Sequence, residues 1–150
     1  MKNAILPLAL FVLMSGTALA AETDQKGAVH AWAGPSSGYT IVDFAASWCR
    51  PCWAVLPRLQ TFASAHPDIR VLVVDVDDTV KGRDALVEKL KLTLPVLWDE
   101  THRIAEHYHP EGMPATFVLD PEGHVVYKHV GSGKKEWDAM VTFLESATRH

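Results

Sequence analysis

The sequence predicts an α/β fold in which a central mixed β-sheet is flanked by helices on both faces. Between residues 39 and 108, strand-like apolar runs alternate with segments whose apolar residues recur at helical spacing. This alternation is typical of parallel strands joined by crossover helices. Two more strand-like runs, 115–119 and 124–130, flank Asp120–Gly123, where Asp, Pro and Gly occupy the positions that a type I turn prefers. These two strands form a hairpin, so the sheet is mixed.

The first half of the domain contains two predicted strands and the helix between them, preceded by a short strand near 29–32. Residues 39–45 (YTIVDFA) are apolar and end just before a pair of cysteines. From Arg50 the apolar period becomes helical, and His66–Asp68 ends that helix. Residues 69–76 (IRVLVVDV) are rich in β-branched side chains, which is typical of a parallel strand buried on both faces.

The second half of the domain follows the same alternation. Asp77–Thr79 provides helix-starting residues, and the apolar side of that helix extends to Leu90. A short apolar run at 95–98 comes next, and 99–107 predicts a helix. After the hairpin, residues 137–144 mark a closing amphipathic helix.

The first 20 residues have the pattern of a secretory signal peptide. Met1-Lys2 is a short basic start, residues 4–14 are apolar, and Ala18–Ala20 places small residues where signal peptidase cleaves. The apolar run of about 11 residues is shorter than the ~20 that a spanning helix needs, which disfavours an uncleaved membrane anchor. We therefore expect three parts: a cleaved signal peptide at 1–20, a loose N-terminal arm at 21–38, and a single domain at 39–150.

Export and charge restrict the classes of function. Residues 21–150 carry a net charge of −5 and contain no basic run, so we expect no nucleic-acid partner. No other segment is apolar enough to cross a membrane, so the mature form is expected to be soluble and periplasmic or otherwise exported. An exported chain meets an oxidising compartment, where a cysteine pair can form a disulfide.

The chain has two cysteines, Cys49 and Cys52, separated by Arg50-Pro51. A disulfide across two residues removes little entropy from the unfolded chain, so redox chemistry explains the pair better than cross-linking does. Cys49 falls at the predicted helix N-terminus, where free N–H groups and the helix dipole favour a thiolate, and Arg50 adds a positive charge. Both effects lower the pKa of Cys49, and the thiolate is the attacking species. Cys52, one turn inside the helix, is expected to be more buried and to act as the resolving thiol, while Pro51 is tolerated in the first turn.

A zinc site is the alternative use of a Cys-x-x-Cys pair. Structural zinc takes four protein ligands, commonly from a second cysteine pair or from two spaced histidines. The sequence has no second pair, and its nearest histidine group is His102, His107 and His109. Surface histidines scattered over a small domain are the commoner explanation, although these three could contact a partner. We expect no metal and no cofactor beyond the cysteine pair.

Four segments carry a resemblance to a known family. Residues 42–52 (VDFAASWCRPC) match an active-site segment, and Pro57 matches the proline that kinks the following helix. Residues 112–117 (GMPATF) match a cis-proline loop, and 120–126 (DPEGHVV) match a hairpin. Over about residues 39–148 the chain resembles the thioredoxin superfamily, and within it the periplasmic TlpA- and ResA-type thioredoxin-like proteins. The resemblance implies a thioredoxin fold and thiol:disulfide oxidoreductase activity.

The resemblance also implies roles around the cysteine pair. Pro114 would follow a cis peptide bond and face the cysteines. The peptide group of Met113 would pair with substrate backbone in a mixed disulfide. Trp48, Arg50 and Pro51 would complete the substrate-binding surface. A membrane-bound electron donor would regenerate the reduced protein.

Asp43 lies six residues before Cys49, in an apolar strand between Val42 and Phe44. A buried carboxylate without a partner is costly, and burial raises its pKa. The matching position in thioredoxin holds an acid that moves the proton of the buried cysteine, so Asp43 is the candidate general acid/base for Cys52. The alternative is an aspartate exposed at a sheet edge and without a role.

The sequence departs from the TlpA- and ResA-type pattern in several places. Many of those proteins carry an acid three residues after the second cysteine, where this chain has Val55, and often Asn where it has Asp43. The N-terminal arm does not resemble the β-hairpin of the group. Trp53 can be either exposed or packed into the core.

We therefore predict a monomeric, exported thiol:disulfide oxidoreductase that reduces protein disulfides through Cys49 and Cys52, with a mixed-disulfide intermediate. A disulfide oxidase or isomerase using the same site is one alternative. A metal-binding or copper-chaperone module of thioredoxin fold is another. Reductase and oxidase differ in the reduction potential of the pair.

Overall fold

A computed structural model describes residues 20–149. Apart from Ala20, the predicted signal peptide lies outside the described residues, so its cleavage stays a prediction. Among residues 20–149 no helix is long and apolar enough to cross a bilayer. In chain order the elements are β1 (Ala21–Thr23), β2 (Val29–Ala31), β3 (Thr40–Ala45), α1 (Cys52–Ala65), β4 (Arg70–Asp75), α2 (Val80–Leu90), β5 (Val96–Trp98), α3 (Arg103–Tyr108), β6 (Ala115–Leu119), β7 (Val125–Val130) and α4 (Lys134–Ala147).

A five-stranded mixed sheet forms the centre of the domain, in the order β5-β4-β3-β6-β7. The first three strands along the chain in this sheet, β3, β4 and β5, are parallel. β6 runs antiparallel to β3, and β7 runs antiparallel to β6. The predicted mixed α/β sheet is confirmed, and β3, which leads to the cysteines, lies at its middle.

Two apolar clusters cover the two faces of this sheet. One cluster contains Ile41 and Ala45 of β3, both cysteines, and buried side chains of α1, α2 and α4. The other contains Val42 and Phe44 of β3 with Ile104 of α3. Successive strand residues point to opposite faces, so Asp43, between Val42 and Phe44, shares the face of Ile41 and Ala45. The helices therefore flank both faces of the sheet, as predicted.

Two helices begin later than the sequence pattern indicates, because short hydrogen-bonded turns precede them. Before α1, the N–H of Cys52 donates to the carbonyl of Cys49 at 3.1 Å, and the helix begins at Cys52 rather than Arg50. Before α3, the carboxylate of Asp99 accepts from the N–H groups of Ile104 and Ala105 at 3.0 and 2.8 Å. Asp99 thus satisfies free donors at the start of α3, as capping residues do, instead of forming the first helical turn.

The N-terminal arm is ordered, so the prediction of a loose arm is wrong, and the short strand predicted near 29–32 is present as β2. β1 and β2 pair as an antiparallel two-stranded sheet. The arm then covers the outer edge of β5: Asp24 bridges to Leu97, and the Gln25 amide donates to the carbonyl of Leu94 and accepts from the N–H of Val96, each at 2.8 Å. An exposed strand edge invites pairing with other chains, and the arm protects it. Composition alone could not show this, because the contacts span about 70 residues.

Candidate active site

Cys49 and Cys52 form a disulfide, with an S–S distance of 2.03 Å, between the carboxyl end of β3 and the start of α1. Cys49 is 5% exposed and Cys52 is fully buried. The expectation that Cys52 lies one turn inside the helix is wrong, because it is the first residue of α1. The predicted difference in burial nevertheless holds. Cys49 keeps a small exposed surface, whereas Cys52 is enclosed by protein.

The start of α1 provides a favourable environment for a negative charge. The first turn contains no acidic side chain, and no side chain caps the helix. The N–H groups of Cys52, Trp53 and Ala54 donate to the carbonyls of Cys49, Arg50 and Pro51 at 3.1, 3.1 and 3.2 Å, and the positive end of the helix dipole is not compensated by a protein carboxylate. That dipole favours a negative charge just before α1, such as a thiolate at Cys49.

Asp43 is fully buried in the central strand β3. The hydroxyl of Thr116, its cross-strand neighbour in β6, donates to Oδ1 at 2.7 Å, and Oδ2 has no hydrogen-bond partner. Burial raises the pKa of Asp43 to about 7, and the Thr116 bond opposes that rise. The alternative of an edge-exposed aspartate is wrong. On the face that Asp43 shares with Ile41 and Ala45, the packed cluster includes Cys52, so the Asp43 carboxyl lies on the same side of the sheet as Cys52.

Asp77, which the sequence suggested only as a helix-starting residue, holds the turn before the cysteines. Its carboxylate accepts from the N–H and the hydroxyl of Ser47, at 2.7 and 2.8 Å. A Cβ on Gly82 of α2 would overlap this carboxylate, so the close approach depends on glycine. The contact joins residues 30 apart in sequence, and no local pattern marks it.

Asp75, at the carboxyl end of β4, is a second buried acid that sequence reasoning missed. Its Oδ1 accepts from the N–H of Asp77 at 3.1 Å, and its Oδ2 has no partner. Burial, followed by the neighbouring Asp77 carboxylate, raises the pKa of Asp75 to about 8. The signal available in the sequence was an acid within the apolar run 69–76, the same signal that identified Asp43.

The cis-proline loop lies opposite the cysteine pair across an open groove of about 560 Å³. The Met113–Pro114 peptide bond is cis, as the resemblance implied. Four of the predicted substrate-binding residues line this groove together with Cys49: Trp48, Arg50, Pro51 and Met113. Pro114 is buried and does not line it, and Trp48 is 66% exposed. The geometry leaves room for an extended peptide beside Cys49.

A family model described as the AhpC/TSA family matches residues 18–128. The chain belongs to this thioredoxin-like family. Similar curated proteins include "Sporulation thiol-disulfide oxidoreductase A" of Bacillus subtilis, 29% identical over 113 residues, and "Thiol-disulfide oxidoreductase ResA" of Bacillus cereus, 27% identical over 98 residues. The match covers 69% of this chain and 68% of the first relative, and 64% of this chain and 57% of the second.

Solved structures show the same fold. A putative thiol:disulfide interchange protein DsbE from Chlorobium tepidum has a TM-score of 0.78 at 23% identity, covering 85% of this chain and 91% of that one. StoA from Bacillus subtilis has a TM-score of 0.70 at 24% identity, covering 81% of this chain and 94% of that one. The predicted thioredoxin fold is confirmed. With its bonded cysteine pair and its relatives, the described part of this AhpC/TSA-family chain is a thioredoxin-like thiol–disulfide oxidoreductase domain.

The two residues that depart from the TlpA- and ResA-type pattern near the cysteines are Val55 and Asp43. Val55, at the position of the missing acid, is buried in the apolar cluster that contains the cysteines. Three residues of β3, Ile41, Asp43 and Ala45, point to the sheet face that this cluster covers. Asp43 is the only acid among them. Any acid/base chemistry from that strand depends on Asp43 alone.

The three histidines do not form one cluster. His102 and His109 line a second open space, of about 510 Å³, next to Trp48. His107 instead packs edge-on against Trp32, with ring centroids 5.3 Å apart. Within residues 20–149, no three His, Cys, Asp or Glu side chains lie close enough to hold a metal ion.

Proposed function

We propose that this protein is an exported reductase of protein disulfides. The observation that supports this is the unequal burial of the two cysteines beside a peptide-sized groove, with a buried acid on the side of Cys52. Cys49 can meet a partner sulfur, and Cys52 can meet only Cys49. That is the arrangement which an attacking and a resolving thiol require.

In the reducing direction, the Cys49 thiolate attacks one sulfur of a substrate disulfide. The substrate S–S bond breaks, a mixed disulfide forms, and the second substrate sulfur leaves as a thiolate that takes up a proton. Cys52 then gives its proton to the Asp43 carboxylate and attacks the Cys49 sulfur. The substrate leaves as a dithiol, and the pair is left as a disulfide, two electrons having passed to the substrate.

Arg50, Pro51, Trp48 and Met113 are proposed to hold the substrate chain along the groove that they line with Cys49. Reduction of the resulting Cys49–Cys52 disulfide requires an electron donor, which we propose to be membrane-bound, by resemblance to the TlpA- and ResA-type proteins. We propose that the mature protein acts as a monomer in the periplasm. No resident cofactor enters these steps.

The reduction potential of the pair tests the direction of electron flow. Equilibration of the wild-type protein with glutathione buffers at pH 7, followed by thiol counting, gives the potential. A reductase is expected to lie near thioredoxin's value of about −270 mV and to reduce insulin with dithiothreitol as donor. A potential near about −120 mV would contradict the reductase proposal and favour an oxidase.

A further inference from the structure

Trp53, whose location the sequence left open, lies in the first turn of α1 directly after Cys52. Its side chain is half-buried and packs against the cluster that contains both cysteines. The indole N–H donates to the carbonyl of Ser47 at 3.1 Å, and Asp77 holds that same residue by its N–H and hydroxyl. The indole ring is therefore attached to both ends of the turn that carries Cys49: by its hydrogen bond to Ser47 at the start, and through the backbone next to Cys52 at the end.

Two cations lie over the Trp53 ring. The guanidinium carbon of Arg50 is 4.2 Å from the ring centroid, and the ammonium nitrogen of Lys89, from α2, is 4.3 Å from it. Both distances are within the range of cation–π attraction, which is about 6 Å. Arg50 is the neighbour of Cys49 in the chain and lines the same groove. The ring therefore keeps two positive charges at the active-site turn.

The nearby groups of opposite sign are carboxylates. Glu111 lines the groove with Cys49, Asp43 lies on the sheet face below the cysteines, and Asp77 holds the turn. Each of these, when ionised, disfavours a thiolate at Cys49. Asp75, buried beside Asp77, adds a fourth carboxyl, which Arg83 of α2 partly offsets. Arg50 and Lys89 are the cations that lie over the Trp53 ring. Their position consequently affects the balance between dithiol and disulfide.

We propose that Trp53 is a positioning residue which holds Arg50 and Lys89 at the active-site turn and thereby stabilises the reduced, thiolate form of the pair. This inference rests on the proposed redox role of Cys49 and Cys52. Because a stabilised reduced form makes a pair more oxidising, Trp53 and Lys89 set the potential at which the protein works. Neither Trp53 nor Lys89 forms or breaks a bond in the thiol–disulfide exchange.

The test compares Trp53→Leu, Trp53→Phe and Lys89→Gln with the control Lys135→Gln, which removes the same charge from α4. For each protein the glutathione equilibrium and the pH dependence of Cys49 alkylation by iodoacetamide are measured. Trp53→Leu and Lys89→Gln are expected to shift the equilibrium about threefold towards the disulfide, equivalent to a potential about 14 mV lower. The pKa of Cys49 is expected to rise in both. Trp53→Phe retains a ring and is expected to shift less, and Lys135→Gln is expected to match wild type.

An unchanged equilibrium and unchanged alkylation profile in Lys89→Gln would overturn the inference, as would equal shifts in Lys89→Gln and Lys135→Gln. Lys89 is exposed, so this variant keeps the test open even if Trp53→Leu fails to fold. The failure of the proposed function has a different signature: the wild-type protein itself would not exchange disulfides with insulin.

Discussion

Cys49→Ala is expected to lower the rate of insulin reduction to the rate measured without protein. The substitution removes the cysteine that lines the groove, whereas Cys52 is fully buried. The Cys49 thiolate is the nucleophile, so the variant keeps the helix start and the groove but cannot attack a disulfide. Turnover of insulin with dithiothreitol, followed by turbidity, measures the loss.

Cys52→Ala is the matched control for this prediction. It keeps the nucleophile and removes the resolving thiol, so a single reaction with substrate is expected to remain while repeated turnover is lost. Wild-type turnover by Cys49→Ala would contradict the assignment of Cys49 as the attacking residue.

Asp43→Asn is expected to stabilise the oxidised protein at pH 8 by about 2–4 kcal/mol more than at pH 4. Burial raises the pKa of Asp43 from 3.8 to about 7 in the folded protein. Between pH 4 and pH 7 the folded state therefore holds a proton that the unfolded state has released. Stability falls as the pH rises through this window, and above pH 7 the whole cost of the buried charge is present.

Asparagine removes the titration but keeps the local contact. Its amide oxygen can still accept from the hydroxyl of Thr116, and its size is nearly that of the protonated acid. At pH 4 the two proteins are consequently expected to differ little. Urea unfolding of both proteins at pH 4 and pH 8 gives the comparison, with Asp68→Asn, an exposed aspartate, as the control. A difference between the two proteins that does not change with pH would contradict a raised pKa at Asp43.

The same variant is expected to slow the second half of the reaction. If Asp43 takes the proton of Cys52, the rate of resolution should fall by about 10²–10⁴-fold and lose its inflection near pH 7. Rapid-quench measurement of mixed-disulfide decay follows this step. A decay rate equal to that of wild type would show that the acid has no part in it.

Much of the fold was predictable because its signals are local. The strand 39–45, the cysteine pair after it and the turn at Asp120–Gly123 each depend on neighbouring residues, and the structure has β3, α1 and the β6–β7 hairpin in these places. Asp43 was predictable for a different reason. An acid between apolar strand residues indicates a buried carboxyl, and this can be inferred without knowing its hydrogen-bond partner.

The features that sequence reasoning missed depend on distant contacts. Asp77 and Ser47 are 30 residues apart, and nothing in either segment indicates that one holds the other. The arm was expected to be loose because its residues are polar, yet Gln25 uses its polar amide to pair with the edge of β5. Trp53 could not be placed, since its two cations come from different segments, the active-site turn and α2.

Capture of the mixed disulfide tests the central assignment most directly. Reduced Cys52→Ala and Cys49→Ala proteins are each mixed with insulin, quenched in acid and weighed intact by mass spectrometry. A covalent adduct of one insulin molecule is expected with Cys52→Ala and not with Cys49→Ala, because only Cys49 lies at the groove. An adduct of equal yield in both proteins, or one confined to Cys49→Ala, would contradict the account of Cys49 as the attacking thiol and Cys52 as the resolving one.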